Sequence, residues 1–178
     1  MQAEVLTTAA GIPLEGPLLL TPRVFGDGRG FFFESWNQQA FNAAAGTTCF
    51  VQDNHSRSSR GVLRGLHYQL PPHPQGKLVR CVAGEIFDVA VDLRRSSPSF
   101  GQWVGTKLSA ENHQQLWLPA GFAHGFLTLS AQAEVLYKTT EFWNRACERA
   151  IRWDDPQLSE KDGAAPLLAG LAQGDLFP

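Results

Sequence analysis

Cysteine is scarce: the 178 residues hold three, at positions 49, 81 and 147. This odd, scattered set has no C-x-x-C spacing. It excludes a disulfide framework and fits buried thiols in the reducing cytoplasm. Charge is also thin. Asp, Glu, Lys and Arg make up 18% of the chain and the formal net charge is −2. No general attraction to nucleic acid or to an acidic membrane surface follows, so any anion must be held locally. The first twenty residues are rather apolar, but Glu4, Pro13 and Glu15 interrupt them and a basic n-region is missing, so they read as neither signal peptide nor spanning helix. There is no Walker A sequence and no G-x-G-x-x-G. Gly26-Asp-Gly-Arg-Gly30 has the wrong spacing and reads as a turn. No repeat, low-complexity block or linker divides the chain, which is read as one domain over residues 1–178.

What is abundant is punctuation. Glycine (17) and proline (11) recur at short intervals, as they do between many short strands. Residues 86–93 alternate, with Phe87, Val89, Val91 and Leu93 on one face and Asp88 and Asp92 on the other. Residues 77–82, 102–108, 114–118, 123–129 and 133–140 are further strands, and the aromatic run 31–36 is read as another. Helix is rare. Residues 37–45 form a short one, capped by Ser35 or Asn37 and stopped at Gly46, and Ser159-Glu-Lys-Asp162 opens a short turn through a capping box. Many strands with tight turns predict an all-β sandwich or barrel with a few short peripheral helices.

Two segments carry the chemistry. Gly61 and His67, followed by Gln69, Lys77 and Gly84, and then Pro119-Ala-Gly-Phe-Ala-His124, resemble the two halves of the cupin metal-site pattern. That resemblance implies a double-stranded β-helix, or jelly roll. Gln69 stands where the second histidine ligand belongs, and Lys77 where the glutamate does. A cation in place of an anionic ligand argues against a divalent metal, because ligands must donate lone pairs and offset the ion's charge. Two histidines and a lysine suit proton movement instead. A histidine with a pKa near ~6.5 accepts a proton at neutral pH. A fixed ammonium in a water-poor pocket stabilises a developing oxyanion by on the order of 3 kcal/mol. Tyr137 shares a face with Val135 and Thr139 and is a candidate acid, kept protonated by a pKa of about 10. Strict alternation would put Arg64 and His67 on opposite faces, and Gly65 between them reads as a bulge that re-aims one of them. Arg29, Arg57, Arg60, Arg64, Lys77 and Arg80 form a basic set from which several members near one pocket would suit a diphosphate.

With those residues in place the chain resembles the dTDP-4-dehydrorhamnose 3,5-epimerase family. The runs that carry the likeness are Val24-Phe-Gly-Asp-Gly-Arg-Gly-Phe-Phe-Phe-Glu34, Val51-Gln-Asp-Asn-His-Ser56, Val62-Leu-Arg-Gly-Leu-His-Tyr68, Gln75-Gly-Lys-Leu-Val-Arg80, Phe87-Asp-Val-Ala-Val-Asp92 and Leu118-Pro-Ala-Gly-Phe-Ala-His-Gly-Phe126. The resemblance implies His67 as base, Tyr137 as acid and Lys77 as support for an enolate. It implies a nucleotide-sugar site lined by Arg29, Glu34, Gln52, Asp53, Asn54, Arg64, His124, Glu148 and Lys161. It also implies a dTDP-4-keto-6-deoxy-sugar substrate, no metal or other cofactor, and a homodimer that exchanges an N-terminal segment. The aspartate of a late Lys-Asp pair, here Lys161-Asp162, would orient the base. One departure bears on this: the connection from Trp153-Asp-Asp-Pro156 to Asp162 is shorter than the family pattern, which leaves Asp88 and Asp92 as rival partners for His67. Other readings stay open at this point: inversion of a single sugar centre, a metal-dependent cupin, and a non-catalytic sugar-binding jelly roll.

Overall fold

The computed structural model describes residues 1–153 and 158–178. The junction at Asp154, Asp155 and Pro156, where the shortened connection was read, lies outside the described residues. In chain order the strands are β1 (Gln2–Thr7), β2 (Pro13–Thr21), β3 (Phe25–Asp27), β4 (Gly30–Phe32), β5 (Gln52–Ser59), β6 (Leu63–Gln69), β7 (Lys77–Ala83), β8 (Glu85–Asp92), β9 (Trp103–Ser109), β10 (Gln115–Leu118), β11 (Phe122–Thr128), β12 (Gln132–Thr139) and β13 (Glu148–Ala150). Helix α1 (Gln38–Ala45) lies between β4 and β5, and α2 (Glu160–Gly163) follows β13. A six-stranded sheet, β1-β2-β10-β7-β12-β5, faces a five-stranded sheet, β13-β6-β11-β8-β9. The pairings within both are antiparallel. This is the two-layer all-β sandwich expected of short strands between tight turns, in the jelly-roll form that the cupin resemblance implied.

Three apolar layers hold it. Between the sheets, Leu14, Leu19, Val79, Leu116 and Val135 meet Ile86, Ala90, Val104, Leu108, Phe122 and Phe126. The strand β8 buries both faces. Ile86 and Ala90 look into this core, while Val89, Val91 and Leu93 look outward to a second layer covered by Leu168, Leu171, Leu176 and Phe177 of the C-terminal segment. The third layer lies on the outside of the six-stranded sheet, where Phe41 of α1 packs on Leu20, Leu78 and Trp117. Asn37 caps α1 by accepting from the Ala40 amide, and Gly46 ends it with its amide on the Asn42 carbonyl.

Three segments depart from the sequence reading. The run 31–36 is strand only as far as Phe32. It pairs with Phe25–Asp27 as a separate two-stranded hairpin and then bends toward the cap of α1, where Trp36 packs on Phe41 and Phe50. β1 and β2 extend one sheet through residues that had no assignment. β5 pairs with β12 over its whole length, yet its sequence, Gln-Asp-Asn-His-Ser-Arg-Ser-Ser, has no apolar alternation. It is an edge strand whose inward positions face a cleft instead of the core, so polar residues fill them.

Candidate active site

At one end of the sandwich the sheets part around a cleft. One lobe, about 550 Å³, is lined by Ser56, Arg64, His67, Lys77, His124, Tyr137, Lys161 and Asp162 among others. A second lobe, about 450 Å³, is lined by Gln52, Asn54, Gln69, Gln75, Trp143 and Glu148. His67, Lys77 and Tyr137 line both lobes, which places them at the waist.

The bulge expected at Gly65 brings Arg64 and His67 to the same side. In the β6–β11 pair, His124 stands opposite His67 and Phe126 opposite Arg64, so two residues of β6 face one of β11. Gly65 has φ +122°, and a Cβ there would meet the Gly125 Cα at 2.6 Å. A Cβ on Gly125 would meet the Arg64 carbonyl oxygen at 2.5 Å. Only two glycines facing one another permit this approach.

The His67 Nε2 lies 2.6 Å from Asp162 Oδ1. Asp162 is buried at the start of α2, whose N-cap Ser159 accepts the Asp162 amide as the capping box predicts. Asp162 therefore does reach His67. The rival partners are engaged elsewhere: Asp88 with His124 Nε2 at 2.8 Å, and Asp92 with Arg94, Ser97 and Ser99. Burial pushes the His67 pKa below its ordinary value. The Asp162 hydrogen bond and charge oppose that push, while Lys77 and Lys161 add to it. The balance favours the neutral imidazole.

Lys77 is buried, 8% exposed, and its Nζ donates to the His67 carbonyl at 3.1 Å. Burial brings its pKa down to about 8, against the pull of the Asp88 and Glu148 carboxylates. Tyr137 is half-buried between the core and the cleft, and its pKa is raised, chiefly by burial and also by Glu148, with Arg64 opposing. Among the described residues no protein group hydrogen-bonds its hydroxyl. Arg64 donates through Nε to Ser58 and through Nη2 to the Arg57 carbonyl. Lys161 pairs with Glu148 at 2.8 Å. Burial raises the Glu148 pKa, but Lys161 and the Trp143 side chain outweigh it and hold the group low.

Three expected lining residues lie elsewhere in the chain's own fold. Arg29 is at the tip of the β3–β4 hairpin, 91% exposed and bonded to Asp27. Glu34 lies beyond that hairpin and accepts from Asn37. Neither lines the cleft, because the hairpin is a separate sheet that projects from the sandwich. Asp53 is the middle residue of Gln52-Asp53-Asn54, and strand alternation turns it to the opposite face, where it pairs with Lys138 at 3.0 Å. Of the basic set, only Arg64 and Lys77 line the cleft; Arg57 and Arg60 are bound to Glu134 and to the Leu129 carbonyl.

Ser56, Gln75 and Trp143 were not singled out from sequence. The available signal for Trp143 was a pair of aromatics, Phe142-Trp143, directly after the strand carrying Tyr137. Gln69, at the second cupin histidine position, is consumed as a bracket for that loop: it donates to the His73 and Phe142 carbonyls and accepts from the Asn144 amide. No three His, Cys, Asp or Glu residues converge as a metal set among the described residues.

Comparison with known proteins gives a consistent picture. Residues 11–170 match the family model described as dTDP-4-dehydrorhamnose 3,5-epimerase. A relative of that name from Pseudomonas aeruginosa is 58% identical over 183 residues, covering 96% of this chain and 99% of its own. The crystal structure of a dTDP-6-deoxy-D-glucose-3,5-epimerase from Legionella pneumophila in complex with dTDP-4-keto-L-rhamnose superposes with TM-score 0.89 at 46% identity, over 99% of this chain and 98% of that one. A 3'-monoepimerase from Streptomyces bikiniensis in complex with dTDP-quinovose is more distant, with TM-score 0.81 and 34% identity over 88% of this chain and 85% of its own.

Proposed function

The chain belongs to the dTDP-4-dehydrorhamnose 3,5-epimerase family, and we propose how its cleft performs that reaction. It is an isomerase that converts dTDP-4-dehydro-6-deoxy-D-glucose to dTDP-4-dehydro-L-rhamnose in dTDP-rhamnose synthesis. The ketone at carbon 4 acidifies the hydrogens on carbons 3 and 5. His67, neutral and oriented by Asp162, removes each in turn. The negative charge that moves onto the carbon 4 oxygen is met by the Lys77 ammonium. Tyr137 returns a proton at carbon 5 and recovers one from solvent, solvent returns one at carbon 3, and His67 sheds each abstracted proton to solvent before the next abstraction. Arg64 and Lys161 supply the cations for the diphosphate.

One observation carries this reading. His67 projects from the five-stranded sheet and Tyr137 from the six-stranded sheet, into one cleft. A sugar held between them has its base on one face and its acid on the other, which inversion requires. The test is turnover in heavy water. Deuterium is expected at both carbons 3 and 5. Label at one carbon alone selects a single-centre enzyme, and none at either in folded protein rejects the mechanism. With Tyr137→Phe, exchange at carbon 5 is expected to persist while inversion there stops. Normal inversion in that variant removes Tyr137 from its role.

The site as read is completed by a second copy of the chain. The β3–β4 hairpin exposes Phe25, Phe31 and Phe32, at 51%, 63% and 68%, around Arg29, which suits insertion against a partner's cleft and would deliver Arg29 and Glu34 there. Mixing Arg29→Ala with His67→Asn protein and allowing subunits to exchange is expected to restore activity to about a quarter of the native level, because hybrids of a closed twofold dimer hold one intact site each. If the hairpin serves its own subunit, no mixture regains activity. The cytoplasm is the proposed location, supported by three free thiols. No helix among the described residues is long and apolar enough to cross a membrane.

A further inference from the structure

Asp162 lies on a helix of a single turn, Glu160–Gly163. So short a helix cannot hold its own shape, since isolated helices below about 12 residues are marginal in water. Its position must come from what flanks it. On its C-terminal side the Ala165 amide donates to the Asp162 carbonyl, and the chain then runs as a strap over the outer face of the five-stranded sheet. The strap is tied at both ends. The Arg152 amide donates to the Pro166 carbonyl at 2.8 Å. At the far end the Phe177 amide donates to the Leu93 carbonyl at 3.2 Å, and the Arg95 amide to the Phe177 carbonyl at 3.1 Å.

Between these ties lies a polar latch. Tyr68 directly follows His67 on β6, so alternation turns its ring to the outer face while the imidazole faces the cleft. The Tyr68 hydroxyl donates to the Asp175 carbonyl at 2.7 Å. Arg149 is the cross-strand partner of Tyr68, and its Nε donates to Asp175 Oδ1 at 2.6 Å. Tyr68 is 2% exposed, so its hydroxyl has little water to fall back on and the bond is dear to lose. β6 is therefore the common reference. It carries the base on one face, and on the other it grips the segment that carries the base's partner back into the cleft.

We propose that Tyr68, Arg149 and Asp175 are positioning residues for the epimerase: by latching residues 165–178 to the back of β6 they hold α2 so that Asp162 stays on His67. His67 is faced by Asp162 and Lys161 from α2, Lys77 from β7, His124 from β11 and Glu148 from β13. A loosened latch moves the α2 pair and leaves the others in place.

The test compares the full-length Tyr68→Phe/Asp175→Ala and Arg149→Met variants with the parent protein. The His67 imidazole is followed by NMR through a pH titration without substrate, and turnover is measured separately. In both variants the His67 midpoint is expected to fall, in the direction set by Asp162→Asn. kcat should drop about tenfold, less than the ~10²-fold that a 1 Å misplacement can cost, and KM should rise by no more than about fivefold, because Lys161 moves with Asp162 while Arg64 stays in place. Added to Asp162→Asn, the latch substitutions should shift the midpoint no further. A lower melting temperature with an unchanged His67 titration and kcat makes the latch merely structural and overturns the proposal. So does a fall in kcat with no change in the titration. The activity readout rests on His67 being the base, but the titration does not, so failure of that role and failure of the latch are distinguishable.

Discussion

His67→Asn is expected to lower kcat/KM by about 10³–10⁴-fold, the full contribution of a well-placed general base, while dTDP-sugar affinity stays within a few-fold. The size follows from what else the cleft offers. Lys77, with a pKa of about 8, is mostly protonated at neutral pH and cannot accept. Tyr137 is raised above its ordinary value and stays a phenol. His124, paired with Asp88, lines only one lobe and not the waist. With no second neutral base free at the waist, hydrogen–deuterium exchange should vanish at carbons 3 and 5 together. Affinity survives because the groups proposed to grip the nucleotide, Arg64 and Lys161, are untouched. Isothermal titration with the product nucleotide and mass-resolved exchange in heavy water measure the two halves. Persistent exchange at one carbon assigns a separate base to that centre. Persistent exchange at both removes His67 from its role.

How far the residues announced this site depends on the kind of signal each left. The strand that buries Val89, Val91 and Leu93 was legible because apolar alternation writes both its existence and its phase. β5 left no such trace, and without its phase the Gln52-Asp53-Asn54 run could not be divided into two residues that face the cleft and one that turns to Lys138. The Gly65 bulge was legible because a glycine between two candidate residues on wrong faces has few other uses. The α2 cap was legible as well, since Ser159 and Asp162 form a local pattern. The contact from Asp162 to His67 was open from sequence, because it joins residues 95 apart. The latch behind it was invisible for the same reason: Tyr68, Arg149 and Asp175 meet only after the sheet has formed. Arg29 and Glu34 were marked by their runs, but no local pattern reveals that a hairpin projects away from its own cleft.

Lys77→Met is expected to cost activity and add stability at once. The loss should be about 10²–10³-fold in kcat, the usual effect of removing one donor from a developing oxyanion. The gain follows from the depressed pKa. Lys77 falls from about 10.5 to about 8 on folding, so between those values the unfolded chain binds the extra proton and stability rises with pH. Below pH 8 the folded protein carries the buried charge at a cost on the order of 3 kcal/mol. Methionine fills much the same volume without the charge, and gives up one hydrogen bond to the His67 carbonyl worth about 1 kcal/mol. The variant should therefore be more stable by about 2 kcal/mol at pH 7, read from urea unfolding, with the difference closing as pH rises from 8 toward 10.5. The same titration gives the native enzyme a falling alkaline limb near pH 8, which the variant should lack, since Tyr137 ionises only above its ordinary value. A variant as active as the parent, or one destabilised at pH 7 with the alkaline limb intact, means that the ammonium is not the group that meets the enolate. The cost of holding that charge buried is what a catalytic role explains and a packing role does not, because packing alone would favour the methionine.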